Sequence, residues 1–219
     1  MINLKKIFGI HPPEYNPKFK KLVILGKQIF ERNPKALQPY INGLARKVQY
    51  ANFVESFSSD EHNAPELDVG DFFGFNCCTV YGHPIFVEME TEADIQVDLN
   101  KDVVVSSPWT NGRLINTISN IGIDMNNPWK PDSNHYMQTL LPFNISWFRN
   151  GYHSGTVGIL KQEGVCPANE VFDASKIYNL IHTDGYKFFY TETGKEFSRV
   201  RHIEYAAIFE LGRLLVVGS

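Results

Sequence analysis

The stretch Asn144-Ile145-Ser146-Trp147-Phe148-Arg149-Asn150-Gly151-Tyr152-His153-Ser154-Gly155-Thr156-Val157-Gly158-Ile159-Leu160-Lys161 changes character at its middle. Its first part, through Phe148, is bulky and apolar as in a strand. Asn150-Gly151 is a turn, and the small and apolar residues from Ser154 to Lys161 read as a helix. A strand that passes through a glycine turn into a helix collects unpaired backbone donors, because the first amides of a helix have no intrahelical acceptor and carry partial positive charge. Gly151 lets an anion approach the backbone closely. Arg149 supplies charge, so Arg149, Asn150, Gly151, Tyr152, His153 and Ser154 are the candidate phosphate-binding residues. His153 can donate, accept or titrate near neutral pH, which makes it the candidate catalytic residue if a reaction is catalysed. The same residues also have a plainer reading, with Ser154 as a helix N-cap and Gly155 and Gly158 admitting close packing against a sheet.

Working outward, Tyr136 to Leu141 is a strand before the stretch, and Glu170 to Phe172 one after Gly164 closes the helix. Ser175 to Ile181 reads as a helix, and Tyr186 to Tyr190 with Lys195 to Val200 as a hairpin around Glu192-Thr193-Gly194. A buried helix runs from about Ile203 to Leu215. Upstream, Leu114, Ile115, Ile118 and Ile121 sit at helical spacing and stop at Gly122. Phe72 to Tyr81, Pro84 to Glu90, Asp94 to Leu99 and Val103 to Ser106 are rich in branched and aromatic residues and read as strands.

The N-terminal part is helical. Asn16-Pro17-Lys18 and Asn33-Pro34-Lys35 each place a capping Asn before a Pro at the first helical position, and together they predict a helical hairpin. Ser56 to Gly70 is polar and reads as a linker. Charge is uneven: residues 1–50 carry ten Lys/Arg and two Asp/Glu, residues 51–102 one and twelve, and residues 103–219 ten and ten. Basic helices beside an acidic middle attract each other, and they also offer a surface to a protein partner or to nucleic acid.

Glu88, Glu90 and Glu92, continued by Asp94 and Asp98, alternate as on one face of a strand and are the candidate metal ligands, for instance for Mg²⁺ arriving with a nucleotide. A charged edge that discourages strand pairing explains the same row. The seven histidines show no two-His spacing on a helix, and no Gly-x-Ser-x-Gly occurs. His135 reads as an ordinary loop histidine. Trp109, Trp129 and Trp147 read as core, with pocket wall as the other reading. The three cysteines, Cys77, Cys78 and Cys166, give neither a disulfide framework nor a zinc spacing. No apolar run approaches the roughly 20 residues of a membrane span. Met1 to Lys6 lacks a secretion-signal core, which makes the cytoplasm the expected compartment.

The order of these pieces, Ile95-Gln96-Val97-Asp98-Leu99, then Arg113 to Gly122, then the strand into Asn150-Gly151-Tyr152-His153-Ser154, then the helix ending at Gly164 and Pro167 to Val171, resembles the ParB/sulfiredoxin-like domain over about residues 94–175. The whole chain resembles a bacterial family built around this loop. The resemblance implies a glycine loop followed by a phosphate-facing helix. Tyr152 stands where sulfiredoxin has its cysteine, so sulfinic-acid reduction is not implied, and Ser154 stands where ParB has an arginine. No helix-turn-helix follows residue 175, so centromere-type DNA recognition is not implied either.

The expectation is an α+β protein with an N-terminal helical segment (residues 1–56) packed on a mixed-sheet α+β domain (residues 66–219). Its loop binds a phosphate-bearing small molecule or nucleic-acid phosphate, as a non-catalytic nucleotide- or phosphate-binding module. The alternative is a phosphate-acting enzyme, such as a nucleotide hydrolase, phosphotransferase or nuclease, that uses a divalent metal.

Overall fold

The computed structural model describes residues 15–60, 63–74, 79–80, 83–84 and 89–217. The protein is α+β, with its two longest helices at the N-terminal end. Helix α1 (Pro17–Arg32) starts as its sequence predicts: the Asn16 side chain accepts from the amides of Lys18 and Phe19 at 3.0 and 3.3 Å, and Pro17 takes the first position. Asn33 caps the short 3-10 turn Pro34–Ala36, which runs into α2 (Leu37–Ser58). Leu37, Ile41, Ala45 and Val48 repeat at helical spacing along α2 and are fully buried.

The remaining helices are α3 (Asn111–Asn120), α4 (Tyr152–Lys161) and α5 (Ile203–Val217). The strands are β1 (Thr79–Val80), β2 (His83–Pro84), β3 (Glu90–Thr91), β4 (Gln96–Asp98), β5 (Val103–Val105), β6 (Tyr136–Leu141), β7 (Ile145–Asn150), β8 (Val165–Pro167), β9 (Glu170–Asp173), β10 (Ile181–Thr183), β11 (Lys187–Tyr190) and β12 (Glu196–Arg199). The principal sheet is mixed, in the order β3, β9, β6, β7, β5. Within it β6 pairs antiparallel with β7, while β5 and β7 are parallel neighbours. Strands β10, β11 and β12 form a separate antiparallel sheet, and β4 pairs with β8.

The period of two along the strands sorts side chains into two cores. Ile145 and Trp147 of β7, Val103 and Val105 of β5 and Leu140 of β6 face a large cluster. That cluster also holds Phe72, Phe143 and residues of α1, α2 and α5, so the N-terminal helices share one core with the C-terminal helix. Phe148, Val104 and Met137 face the other way, into a smaller cluster with Trp129, Ile159 and Leu99. Gly155 of α4 sits against Phe148, where an added Cβ would stand 2.5 Å from its ring. Close packing on the sheet is therefore what this glycine serves. Edge strand β5 is covered by α2: Gln49 donates to the Val104 carbonyl at 2.7 Å and Asn52 to the Ser106 carbonyl at 2.9 Å.

Two expected elements fold differently. Phe72 and Phe73 do not start a strand but end a buried 3-10 turn, Val69–Phe73. Asp68 accepts from the Gly70 amide at 2.6 Å and Asp71 accepts from the Asp68 amide at 2.9 Å, a capping box whose local hydrogen bonds outweigh the β preference of the two aromatics. The helix expected from Ser175 to Ile181 is one 3-10 turn, Ala174–Ile177, because Ile181 to Thr183 pairs with β11 instead. The expected strands around Cys77, Cys78 and residues 85–88 lie outside the described residues. Lys18 and Lys47 both reach the buried Glu204 of α5, at 2.8 and 3.3 Å, so these two lysines pair with the C-terminal helix rather than with the acidic stretch 51–102. Among the described residues, no helix is long and apolar enough to cross a membrane.

Candidate functional site

Parallel neighbours β5 and β7 leave the sheet at the same end. From there one chain runs through Ser106 to Thr110 into α3, and the other turns at Gly151 into α4. A crevice at the carboxyl ends of parallel strands is a recurrent ligand position, since the loops there are free to diverge around a guest. A cleft of about 410 Å³ lies at this point, within the usual range of small-molecule sites. Trp109, Gly112, Arg113, Asn116 and Thr117 form one wall. Asn134, Asn150, Gly151, Tyr152, His153 and Ser154 form the other.

The turn works as the sequence predicts in one respect and differs in another. Gly151 adopts φ of 76° and is itself at the cap position of α4, so no side chain caps the first turn. Ser154 is therefore not the N-cap but the third residue of the helix. A Cβ at Gly151 would lie 2.6 Å from Cδ2 of His135, so this position requires glycine for both space and backbone angle.

Arg113 is the only cationic side chain on the cleft wall, and no Asp or Glu lines it among the described residues. Its guanidinium lies 5.2 Å from the Trp109 ring centre, and that ring stands edge-on to His153 at 5.5 Å. His153 is only 9% exposed. Its Nε2 accepts from the Thr110 amide at 3.2 Å, which places the proton of the neutral ring on Nδ1. Burial first, and the nearby Arg113 charge second, lower its pKa from the usual value. His153, read from the sequence as a loop residue able to donate, accept or titrate near neutral pH, is buried beside the Trp109 ring.

Behind the helix start lies a second histidine. The His135 ring is clamped between Trp129 and Phe148, with centroids 4.9 and 5.7 Å away. Its Nε2 is 2.8 Å from the Ser154 hydroxyl, and its Nδ1 is 2.9 Å from Oδ1 of Asp132. The Asp132 amide donates to Nδ1 at 3.0 Å. Ser154 Oγ has a weaker contact with the Gly151 carbonyl at 3.3 Å.

The other candidates are dispersed. Arg149 points away from the cleft and pairs with Glu66 at 2.9 Å and Asp68 at 3.1 Å. The Tyr152 hydroxyl donates to the same Glu66 carboxylate at 2.5 Å, and burial together with that carboxylate raises its pKa far above the ordinary phenol value. The acidic row is broken up, because β3 is two residues long and pairs with β9 while β4 belongs to another sheet. Glu90 and Glu92 line a different depression beside Asp94 and Glu170, and Glu88 lies outside the described residues. Among the described residues, no three His, Cys, Asp or Glu side chains are grouped so as to hold a metal ion. Trp147 and Trp129 are core, whereas Trp109 is cleft wall. The sequence reading did not name Arg113, Asn116 and Asn134 among the cleft residues, and it gave pocket wall only as the second reading of Trp109. The one local signal was Trp109-Thr110-Asn111-Gly112-Arg113, a polar turn opening a helix, whose partner loop is distant in the chain.

Fold and cleft together define an α+β protein with a polar, carboxylate-free cleft where two parallel strands diverge. A family model matches residues 6–217, and the chain belongs to that family, described as a family of unknown function, DUF6710. Neither a curated protein nor a solved structure matches the chain.

Proposed function

We propose that this protein binds a phosphate-bearing molecule, a nucleotide or a nucleic-acid phosphate, in the cleft at Asn150 to Ser154. The observation that carries the reading is the convergence of the uncapped start of α4 and the Arg113 guanidinium on one cleft without a carboxylate on its walls. Nδ1–H of His153 and the amides of Asn116, Asn134 and Asn150 add neutral donors suited to phosphate oxygens. Arg149 has no part in it, being held by Glu66 and Asp68.

A binding module is favoured over a metal-dependent phosphoryl-transfer enzyme because Mg²⁺ chemistry calls for carboxylates beside the phosphate, whereas Glu66 and Asp68 are paired with Arg149, and Glu90 and Glu92 line another depression. The lysines of α1 are a candidate partner surface, with Lys20, Lys21 and Lys27 exposed. Isothermal titration with inorganic phosphate and a panel of nucleotides, with and without Mg²⁺, tests the proposal. Binding that Arg113→Ala weakens supports it; silence across the panel refutes it.

A further inference from the structure

We infer that the phosphate-bearing ligand is a nucleotide whose base enters a second cavity beside the cleft, where Trp109 and Tyr152 form the walls and Glu66 and Ser107 read the edge of the base. The inference rests on the phosphate-binding proposal and adds to it the part of the ligand that carries no phosphate.

This second cavity, of about 250 Å³, is lined by Ala64, Glu66, Ser107, Trp109 and Tyr152. It is smaller than the roughly 300 Å³ at which small-molecule sites begin, so it takes a portion of a ligand and not the whole. Trp109 and Tyr152 also line the cleft, which makes the two spaces neighbours across a pair of aromatic side chains. A molecule whose phosphate lies at the start of α4 extends past these rings into the second cavity. Aromatic walls suit a flat guest with a π-face of its own.

Glu66 presents an acceptor to that guest. The Tyr152 hydroxyl and the Arg149 guanidinium both donate to its Oε1, at 2.5 and 2.9 Å, and among the described residues no donor reaches Oε2. One oxygen thus fixes the carboxylate while the other keeps its lone pairs for an N–H of the ligand. Arg149 also offsets the charge of Glu66, so an anionic ligand meets less repulsion here than beside a bare carboxylate.

Ser107 presents the converse. It is only 3% exposed, and its Oγ accepts from the Leu67 amide at 3.2 Å and from Nδ2 of Asn52 at 3.1 Å. The Asn52 amide is fixed in that orientation, since Nδ2 also donates to the Ser106 carbonyl at 2.9 Å. Both lone pairs of the Ser107 hydroxyl are engaged, and its proton has no acceptor among the described residues. A buried donor without an acceptor is costly, and on a cavity wall a guest can supply the acceptor. An acceptor, a donor and aromatic walls together match the edge of a nucleobase, where an N–H lies beside a ring nitrogen or a carbonyl. A sugar offers hydroxyls without a π-face, and an acyl chain satisfies neither polar group.

Titration of the full chain with ribose 5-phosphate, which has no base, and with adenosine, guanosine, cytidine and uridine monophosphates tests the inference. At least one of the four should bind about tenfold tighter than ribose 5-phosphate, the scale of one stacked base. It should also quench tryptophan emission, and Trp109→Leu should abolish the quench, since Trp129 and Trp147 are core. Glu66→Gln puts an amide donor in place of the Oε2 acceptor and should bring the affinity ratio close to one. A purely structural disturbance would weaken both ligands together and leave the ratio standing. Equal binding of nucleotides and ribose 5-phosphate, or a ratio that survives Glu66→Gln, overturns the inference and leaves the phosphate site intact. Binding of the free nucleosides without binding of ribose 5-phosphate defeats the phosphate site and keeps the base cavity. Silence from every ligand overturns both.

Discussion

The amide of Thr110 donates to Nε2 of His153 at 3.2 Å, joining the entrances of two helices that are 43 residues apart in the chain. The bond gives His153 a fixed tautomer and ties the two walls of the cleft together. Replacing His153 by Ala leaves the Thr110 donor without its acceptor and opens a void beside Trp109. We expect a loss of about 2 kcal/mol in urea denaturation, together with weaker phosphate binding. His153→Gln, whose carbonyl can accept the same bond, should recover most of the stability. Equal losses in both variants would show that the Thr110 bond is immaterial.

Arg113 sits on a helix with no buried residue. Arg113→Ala should therefore change stability by no more than about 0.5 kcal/mol. It should weaken phosphate binding by about tenfold, the size of one charge-assisted hydrogen bond. Calorimetry at low and high salt checks the charge term, since the wild-type advantage should shrink as salt rises.

Gly151→Ala imposes a side chain on a backbone of φ 76° and drives its Cβ toward the His135 ring. A cost of about 2 kcal/mol is expected from strain and displacement of the ring. Thermal melting would register it, and a silent variant would mean that the turn adapts.

Glu204 is buried and holds the ammonium groups of two half-exposed lysines from α1 and α2. Removing the lysines should cost more than removing the carboxylate, because freed lysines return to water while a lone buried carboxylate cannot. Lys18→Met with Lys47→Met should lose about 3 kcal/mol and Glu204→Gln about 1 kcal/mol. Urea midpoints in the reverse order would refute this account of the helix docking.

His153 and His202 both have pKa values lowered from 6.5 by burial, reinforced by Arg113 for the first and by Lys47 for the second. The unfolded chain therefore takes up these protons first as pH falls. Stability should be full above about pH 7 and decline from roughly 6.5 downward. Melting temperatures across pH 5 to 8 test the sign, and His202→Gln should flatten the slope.

The elements that carry the cleft were legible because their signals are local. Asn16-Pro17 caps a helix from within three residues, and Ile145 to Asn150 announces its strand before a glycine turn. Phe72 and Phe73 misled for an equally local reason: aromatic β preference yielded to the Asp68 and Asp71 hydrogen bonds that fold them into a turn. Arg149 misled through distance. Its neighbours in sequence place it at the loop, while Glu66 and Asp68, more than 80 residues away, turn it aside.

By itself the sequence determined the α+β class, the helical N-terminal segment and the strand, glycine turn and helix at Ile145 to Lys161, since periodicity and caps act over a few residues. Only the tertiary structure decided what the turn faces. Parallel pairing of β5 with β7 delivers Trp109 and Arg113 beside Gly151, and packing against Trp129 and Phe148 sets His135 against Ser154. Such contacts join residues of different elements, and burial fixes them only once the chain has closed on its core.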